Sequence, residues 1–269
     1  MTQKPQSHRF STVILVFSLL LFWSCGKEQE ESSAEKPAST AETPATGDAT
    51  AYRAAAVQNG GTIFGKVTFK GKWSPSTISV TKDQEVCGKS KKNPALLVSE
   101  DEEVQDAVVY ITDIKQGKKI EQQKVTLDQK ACEYHPHVLA FPAGSTVEIK
   151  NPDGVLHNIH SYSEKNDPFN MAQPKFKKTL TVTIEKPEII SVKCDVHGWM
   201  SGWFFVTENP YFSVSDSAGT FKLTDVPPGT YTLDLWHETL GKVSQKVTVK
   251  PKEEVKVIFE LSKKQPGVT

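Results

Sequence analysis

From Gly60 onward, apolar and polar residues alternate along most of the chain. In Gly61-Thr-Ile-Phe-Gly-Lys-Val-Thr-Phe-Lys-Gly71, the residues Ile63, Gly65, Val67 and Phe69 share one face. Leu180, Val182 and Ile184 alternate with Thr179, Thr181 and Thr183, and Val147 and Ile149 alternate with polar neighbours just upstream. The same period returns in Tyr231, Leu233 and Leu235, in Val247 and Val249, and in Val255, Val257, Phe259 and Leu261. Shorter apolar runs at 106–111, 189–194 and 203–206 read as further strands. A period of two with turn residues between the runs predicts strands, and no stretch supports a long helix. The pattern predicts an all-β protein built of sandwiches. There are more strands than one small domain uses, so two sandwiches are expected within the 269 residues.

The pattern differs before Gly60. Residues 13–23 form an apolar run broken only by Ser18, behind the basic start Lys4, His8 and Arg9. At roughly 11 residues this run is too short to span a bilayer and reads as the core of an export signal. It ends at Ser24-Cys25-Gly26, which resembles a bacterial lipoprotein cleavage site. Cys25 is therefore the candidate for lipidation, with an ordinary cleaved signal or an uncleaved anchor as the alternatives. Acyl chains on Cys25 would tether the protein to a membrane. Gly26, rather than an aspartate, favours an outer-membrane address. The expected location is periplasmic or cell-surface. Residues 26–57 are rich in Glu, Ser, Ala, Thr and Pro without apolar periodicity, as expected of a disordered tether. Residues 264–269 are a short tail. Lys+Arg and Asp+Glu both number 32, so the chain lacks the basic excess of a nucleic-acid binder but remains open to protein partners.

The candidate chemistry is concentrated in Cys194-Asp-Val-His197-Gly-Trp199-Met200, which sets a thiolate, an imidazole and a thioether at three-residue intervals. A second imidazole, His157, follows the turn Asn151-Pro-Asp-Gly154. Two His, one Cys and one Met are the ligand set of a blue-copper centre, a trigonal His2Cys plane with a long axial thioether. The expected cofactor is one type-1 copper, and the expected role is one-electron transfer rather than catalysis. Cys194 has no adjacent His, which argues against a multicopper enzyme. Other readings are structural zinc, which favours Cys and His and leaves Met200 unused, a degenerate site whose residues only pack, copper storage or delivery without electron traffic, and a structural envelope sandwich.

The runs Leu156-His157-Asn158-Ile159-His160 and Cys-x2-His-x2-Met, with Phe141-Pro-Ala-Gly-Ser-Thr-Val-Glu-Ile-Lys-Asn151 ahead of them, resemble the cupredoxins, and the amicyanin group most closely. The resemblance implies a Greek-key sandwich over residues 124–207. It implies His157 and His197 as equatorial ligands, Cys194 as the thiolate and Met200 as the axial ligand. It implies that Asn158 ties the ligand strands together by hydrogen bonds, and that His160 is not a ligand. The imidazole edge of His197 would be the electron port, with Leu156, Phe169, Trp199 and Trp203 as candidates for an apolar rim around it; core packing is the alternative for the aromatics, for Trp203 above all. A protein redox partner of the cell envelope would dock there. A second resemblance rests on Asp216-Ser-Ala-Gly219-Thr-Phe221 and Val226-Pro-Pro-Gly229-Thr-Tyr231, which are similar to turns of the carboxypeptidase regulatory-like, transthyretin-like sandwich. The opening strand of that fold is matched by Gly65-Lys-Val67, far upstream. This implies a discontinuous sandwich from residues 58–123 and 208–263, with the cupredoxin-like piece inserted. The combination is similar to exported proteins of the methylamine-utilisation-like group.

With Cys25 assigned to a lipid and Cys194 to a metal, Cys87 and Cys132 remain. Exported thiols meet an oxidising compartment, so these two are expected to form a disulfide. His135 and His137 are candidates for an extra metal site with Cys132, or are strand and turn residues beside the disulfide. His237 is expected at a polar edge of the outer sandwich.

Overall fold

The computed structural model describes residues 51–263. The expected signal, Cys25 and the tail lie outside them. Nearly all regular structure is strand, and the single α-helix among the described residues is the one-turn Gln84–Cys87. The fold is an all-β arrangement of four sheets that make two sandwiches, with short strand pairs at the margins.

The outer sandwich joins early and late parts of the chain. Gly61–Phe69 pairs in parallel with Glu254–Leu261 and antiparallel with Thr220–Val226. Alternate residues of Gly61–Phe69 are buried, as the period of two requires. Gly65 is required by the close approach of its parallel neighbour, because a Cβ there would lie 1.6 Å from the Val257 carbonyl oxygen. The facing sheet runs Phe212–Val214, Val108–Ile111, Gly229–His237, Gly241–Val249. Ile63, Val67, Ile111, Tyr211, Leu233 and Phe259 fill the space between them. The Asp216 turn is held by its own carboxylate, which accepts the amides of Ala218 and Thr220 and the Thr220 hydroxyl, with Gly219 at φ 65°.

The second sandwich has a four-stranded sheet ordered Thr179–Ile184, Ser145–Lys150, Lys124–Lys130, Glu133–His135. Its five-stranded partner runs Asn170–Gln173, His157–Tyr162, Glu188–Lys193, Ser201–Thr207, Val138–Pro142. Leu127, Phe141, Val147, Ile149, Ile159 and Phe204 form its core.

The two sandwiches share a seam. Val138, Ala140, Trp203 and Phe205 of the five-stranded sheet meet Val108, Tyr110, Val214 and Trp236 of the outer one. Trp203 and Trp236 sit edge to face with ring centroids 5.3 Å apart, and Tyr110 lies 4.9 Å from Phe205. Trp203 is therefore a packing residue of this seam, not part of an exposed rim. His237 also differs from expectation. It is buried, and its Nδ1 accepts the amides of Thr239 and Leu240.

The folded part starts earlier than the composition suggests. Arg53–Ala54 pairs in parallel with Gln116–Gly117, and the Tyr52 hydroxyl donates to the Lys118 carbonyl at 2.6 Å. Both lie inside the stretch that reads as tether in the sequence.

Candidate metal centre

The turn that delivers His157 is organised by a buried asparagine. The Asn151 amide donates to the carbonyls of Val155 and Gln173, and its Oδ1 accepts the Asp153 amide at 3.2 Å. Gly154 takes φ 77°, which lets the chain reverse and begin the strand at His157. The loop 194–200 is closed below by the Lys193–Ser201 strand pair. It is closed within itself by Cys194 N–H to the Met200 carbonyl (3.1 Å) and Met200 N–H to the His197 carbonyl (2.8 Å). Asn158 ties the two pieces together. Its Oδ1 accepts the amides of Asp195 (2.7 Å) and Val196 (3.3 Å), while its Nδ2 donates to Asn170 and Asp195.

These elements bring donor atoms of His157, Cys194 and His197 within 4.8 Å of one another, and these three residues, like Met200 at the end of the loop, are each 2% exposed or less. The Nδ1 atoms of His157 and His197 lie 2.9 Å apart, and the Cys194 sulfur lies 3.9 Å from His197 Nδ1. A metal with bonds of about 2.0–2.1 Å to nitrogen and about 2.3 Å to sulfur needs donor atoms about 3–4 Å apart. The sulfur–nitrogen separation falls in that range and the imidazole pair lies just below it, and Met200 packs in the same core cluster as Cys194.

The opposite edge of each imidazole meets a carboxylate. His157 Nε2 is 3.0 Å from Asp153 Oδ2, and His197 Nε2 is 2.9 Å from Asp83 Oδ2. This network assigns a proton to each Nε2 and leaves each Nδ1 with a lone pair. Two lone pairs facing at 2.9 Å need a proton or another cation between them. Burial pushes the His157 imidazolium below its usual range, against the pull of Asp153. The site combines two carboxylates, a thiol and two convergent lone pairs, which is a cation-binding environment. Asp153 also accepts the amides of Ala131 and Cys132, both at 2.7 Å, and so couples His157 to the next turn. Neither Asp83 nor Asp153 stands out in the sequence. Asp153 reads as an ordinary turn residue, and Asp83 lies 114 residues from its partner.

His197 is not an open port. The segment 80–88 lies over it, carrying Asp83 and the turn Gln84–Cys87, and His197 is 0% exposed. Cys87 and Cys132 are joined by a disulfide that pins this cap, with Val80, Val86 and Cys87 packed into the sandwich core. The electron port expected at the edge of His197 is thus corrected: a cap from outside the motif covers it.

The other candidates are dispersed. Trp199 is half-buried, lies 5.1 Å from the His197 ring and donates its Nε1–H to the Cys132 carbonyl. Phe169 is half-buried against the core, whereas Leu156 is exposed. His160 faces Asp195 and stacks on Tyr162. His135 is exposed, while His137 is buried between Glu238 and the Ser201 carbonyl. The two point to different surroundings and do not join Cys132 in a donor cluster.

No protein-family profile and no curated protein matches the chain. Among solved structures it is similar to the copper-containing nitrite reductase of Thermus scotoductus SA-01, with 25% identity over 35% of this chain and 24% of that one, TM-score 0.31. It is similar to the purple cupredoxin of Nitrosopumilus maritimus, with 24% identity over 31% of this chain and 99% of that one, TM-score 0.27. It is also similar to amicyanin of Paracoccus versutus, with 20% identity over 31% of this chain and 81% of that one, TM-score 0.28. The chain spans about a quarter of the nitrite reductase.

Proposed function

We propose that the protein is an exported, membrane-tethered blue-copper protein that carries single electrons between partners of the cell envelope. The observation that carries this reading is the pair of imidazole Nδ1 atoms 2.9 Å apart beside the Cys194 sulfur, held by carboxylates on their far edges. His157, Cys194 and His197 would hold the metal, with the Met200 thioether as a weaker fourth donor. When bound, copper supplies a one-electron couple. Asp83 and Asp153 hold the imidazoles in the tautomer that presents Nδ1. Asn158 fixes the amides of the Cys194 loop, and the surrounding core excludes water. Such a rigid, dry donor set suits both oxidation states with little rearrangement. The Cys87–Cys132 disulfide supports an oxidising compartment, consistent with export. A lipid on Cys25 is part of the proposal, and mass spectrometry of the mature N-terminus tests it. The pairing of Gly61–Phe69 with strands from the last part of the chain supports the copper sandwich as an insertion into the outer one.

A second reading, copper storage or delivery, is favoured by one observation: the cap leaves no ligand edge exposed. Voltammetry of the copper-loaded protein separates the two. The carrier reading expects a reversible one-electron wave and rapid exchange with a soluble mediator. Tight Cu(I) binding without a reversible wave would replace it with storage.

A further inference from the structure

The copper reading leaves unused the two sulfurs of the disulfide that pins the cap, and they lie beside the imidazoles of the proposed centre. Donor atoms of Cys87, Cys132 and His197 all lie within 4.8 Å of one another, and so do those of Cys132, Asp153 and His157. The Asp83 carboxylate is 2.9 Å from His197 Nε2. While the S–S bond holds, its sulfurs carry no charge and are poor ligands. A dithiol reductant changes that. Its two electrons cleave the S–S bond, its own sulfurs pair as a disulfide, and its two protons pass to Cys87 and Cys132. Each thiol then releases its proton to solvent when it binds a cation.

We propose that reduction of Cys87–Cys132 creates a second metal site in which two thiolates and the His197 imidazole bind a soft or borderline cation, Cu(I) or Zn(II), with Asp83 as the nearest carboxylate. Two thiolates with one imidazole favour such cations over hard ones. His197 is common to this site and to the His157–Cys194 set, so on the copper reading above the two sites compete. The oxidation state of the cap then decides which donor set holds the metal. The second site itself stands without that reading, since neither Cys194 nor Met200 belongs to it.

The test uses Cys194→Ala, which removes the thiolate of the first site, and Co(II) as a coloured probe. The disulfide form is expected to show no thiolate-to-cobalt absorption. After reduction with a phosphine and its removal under argon, one Co(II) per chain is expected to give that absorption. Adding Cys87→Ser and Cys132→Ser together should abolish it. Reduced Cys194→Ala without the absorption would overturn the proposal. A second measurement reads the thiols directly. In reduced protein carrying Cys194→Ser, which removes the competing thiolate while keeping a side chain of similar size, Zn(II) is expected to protect both Cys87 and Cys132 from iodoacetamide, read by mass spectrometry. Equal labelling with and without Zn(II) would overturn the proposal. Neither outcome bears on copper binding by the oxidised wild-type protein, so the two readings fail separately.

Discussion

Asp153→Ala should destabilise the metal-free protein through the backbone it holds. The carboxylate accepts two amides at 2.7 Å from Ala131 and Cys132 and touches His157 at 3.0 Å. Ala131 and Cys132 sit at φ 53° and 59°, a left-handed pair that non-glycine residues adopt at a cost. Hydrogen bonds to a charged acceptor contribute about 1.5–3 kcal/mol each, so the two amides together are worth about 3–6 kcal/mol. The Cys132 amide belongs to a fully buried residue shielded from water, whereas the half-buried Ala131 regains some water. The lower end, about 3 kcal/mol, is therefore expected. With a urea slope of about 2–3 kcal/mol/M, the unfolding midpoint should fall by about 1 M. The assay is equilibrium urea unfolding followed by tryptophan fluorescence, in the disulfide form without metal. Asp153→Asn keeps one acceptor oxygen and should lose about half as much. A fall of less than about 0.3 M in Asp153→Ala, equivalent to under about 1 kcal/mol, would refute the reasoning.

Removing the disulfide with Cys87→Ser plus Cys132→Ser opens a loop of 45 residues. The chain-entropy account expects a loss of about 4 kcal/mol in urea unfolding, and a loss below about 1 kcal/mol would show that the cap is not constrained by the bond. Burial lowers His237 to about 4, below its unfolded value near 6.5. Its contribution is therefore complete above about pH 6.5 and is lost as pH falls toward 4, amounting to about 3 kcal/mol. Wild type should lose that much more stability than His237→Gln over this window, and parallel pH profiles would contradict it. Met200→Leu should keep the metal but raise its reduction potential, because the axial ligand tunes it. An unchanged potential would remove Met200 from the proposed centre.

Much of the fold was legible because burial on one face forces a period of two. Gly61–Phe69 and Glu254–Leu261 alternate in the structure as they do in the sequence. The meeting of His157 with the 194–200 loop was implied by the blue-copper ligand set and the cupredoxin resemblance, and the donors do lie together. What escaped depends on contacts distant in sequence. Asp83 lies in a polar stretch with no periodic signal, yet it reaches His197, and with the disulfide it closes the port expected there. Asp153 carries no mark beyond a Pro-Asp-Gly turn. Trp203 follows the strand pattern, but that pattern cannot say that a second sandwich covers the outer face of its sheet. His237 is polar, and its burial follows from the two amides it accepts, which only the tertiary structure provides.

The central claim is that Cys194, His157 and His197 bind copper through a thiolate bond. Titration of the disulfide form with Cu(II), followed by visible absorption, tests it most directly. The account predicts an intense thiolate-to-copper band that saturates at one copper per chain and is absent from Cys194→Ala. A colourless copper complex, or a band that persists in Cys194→Ala, would contradict it.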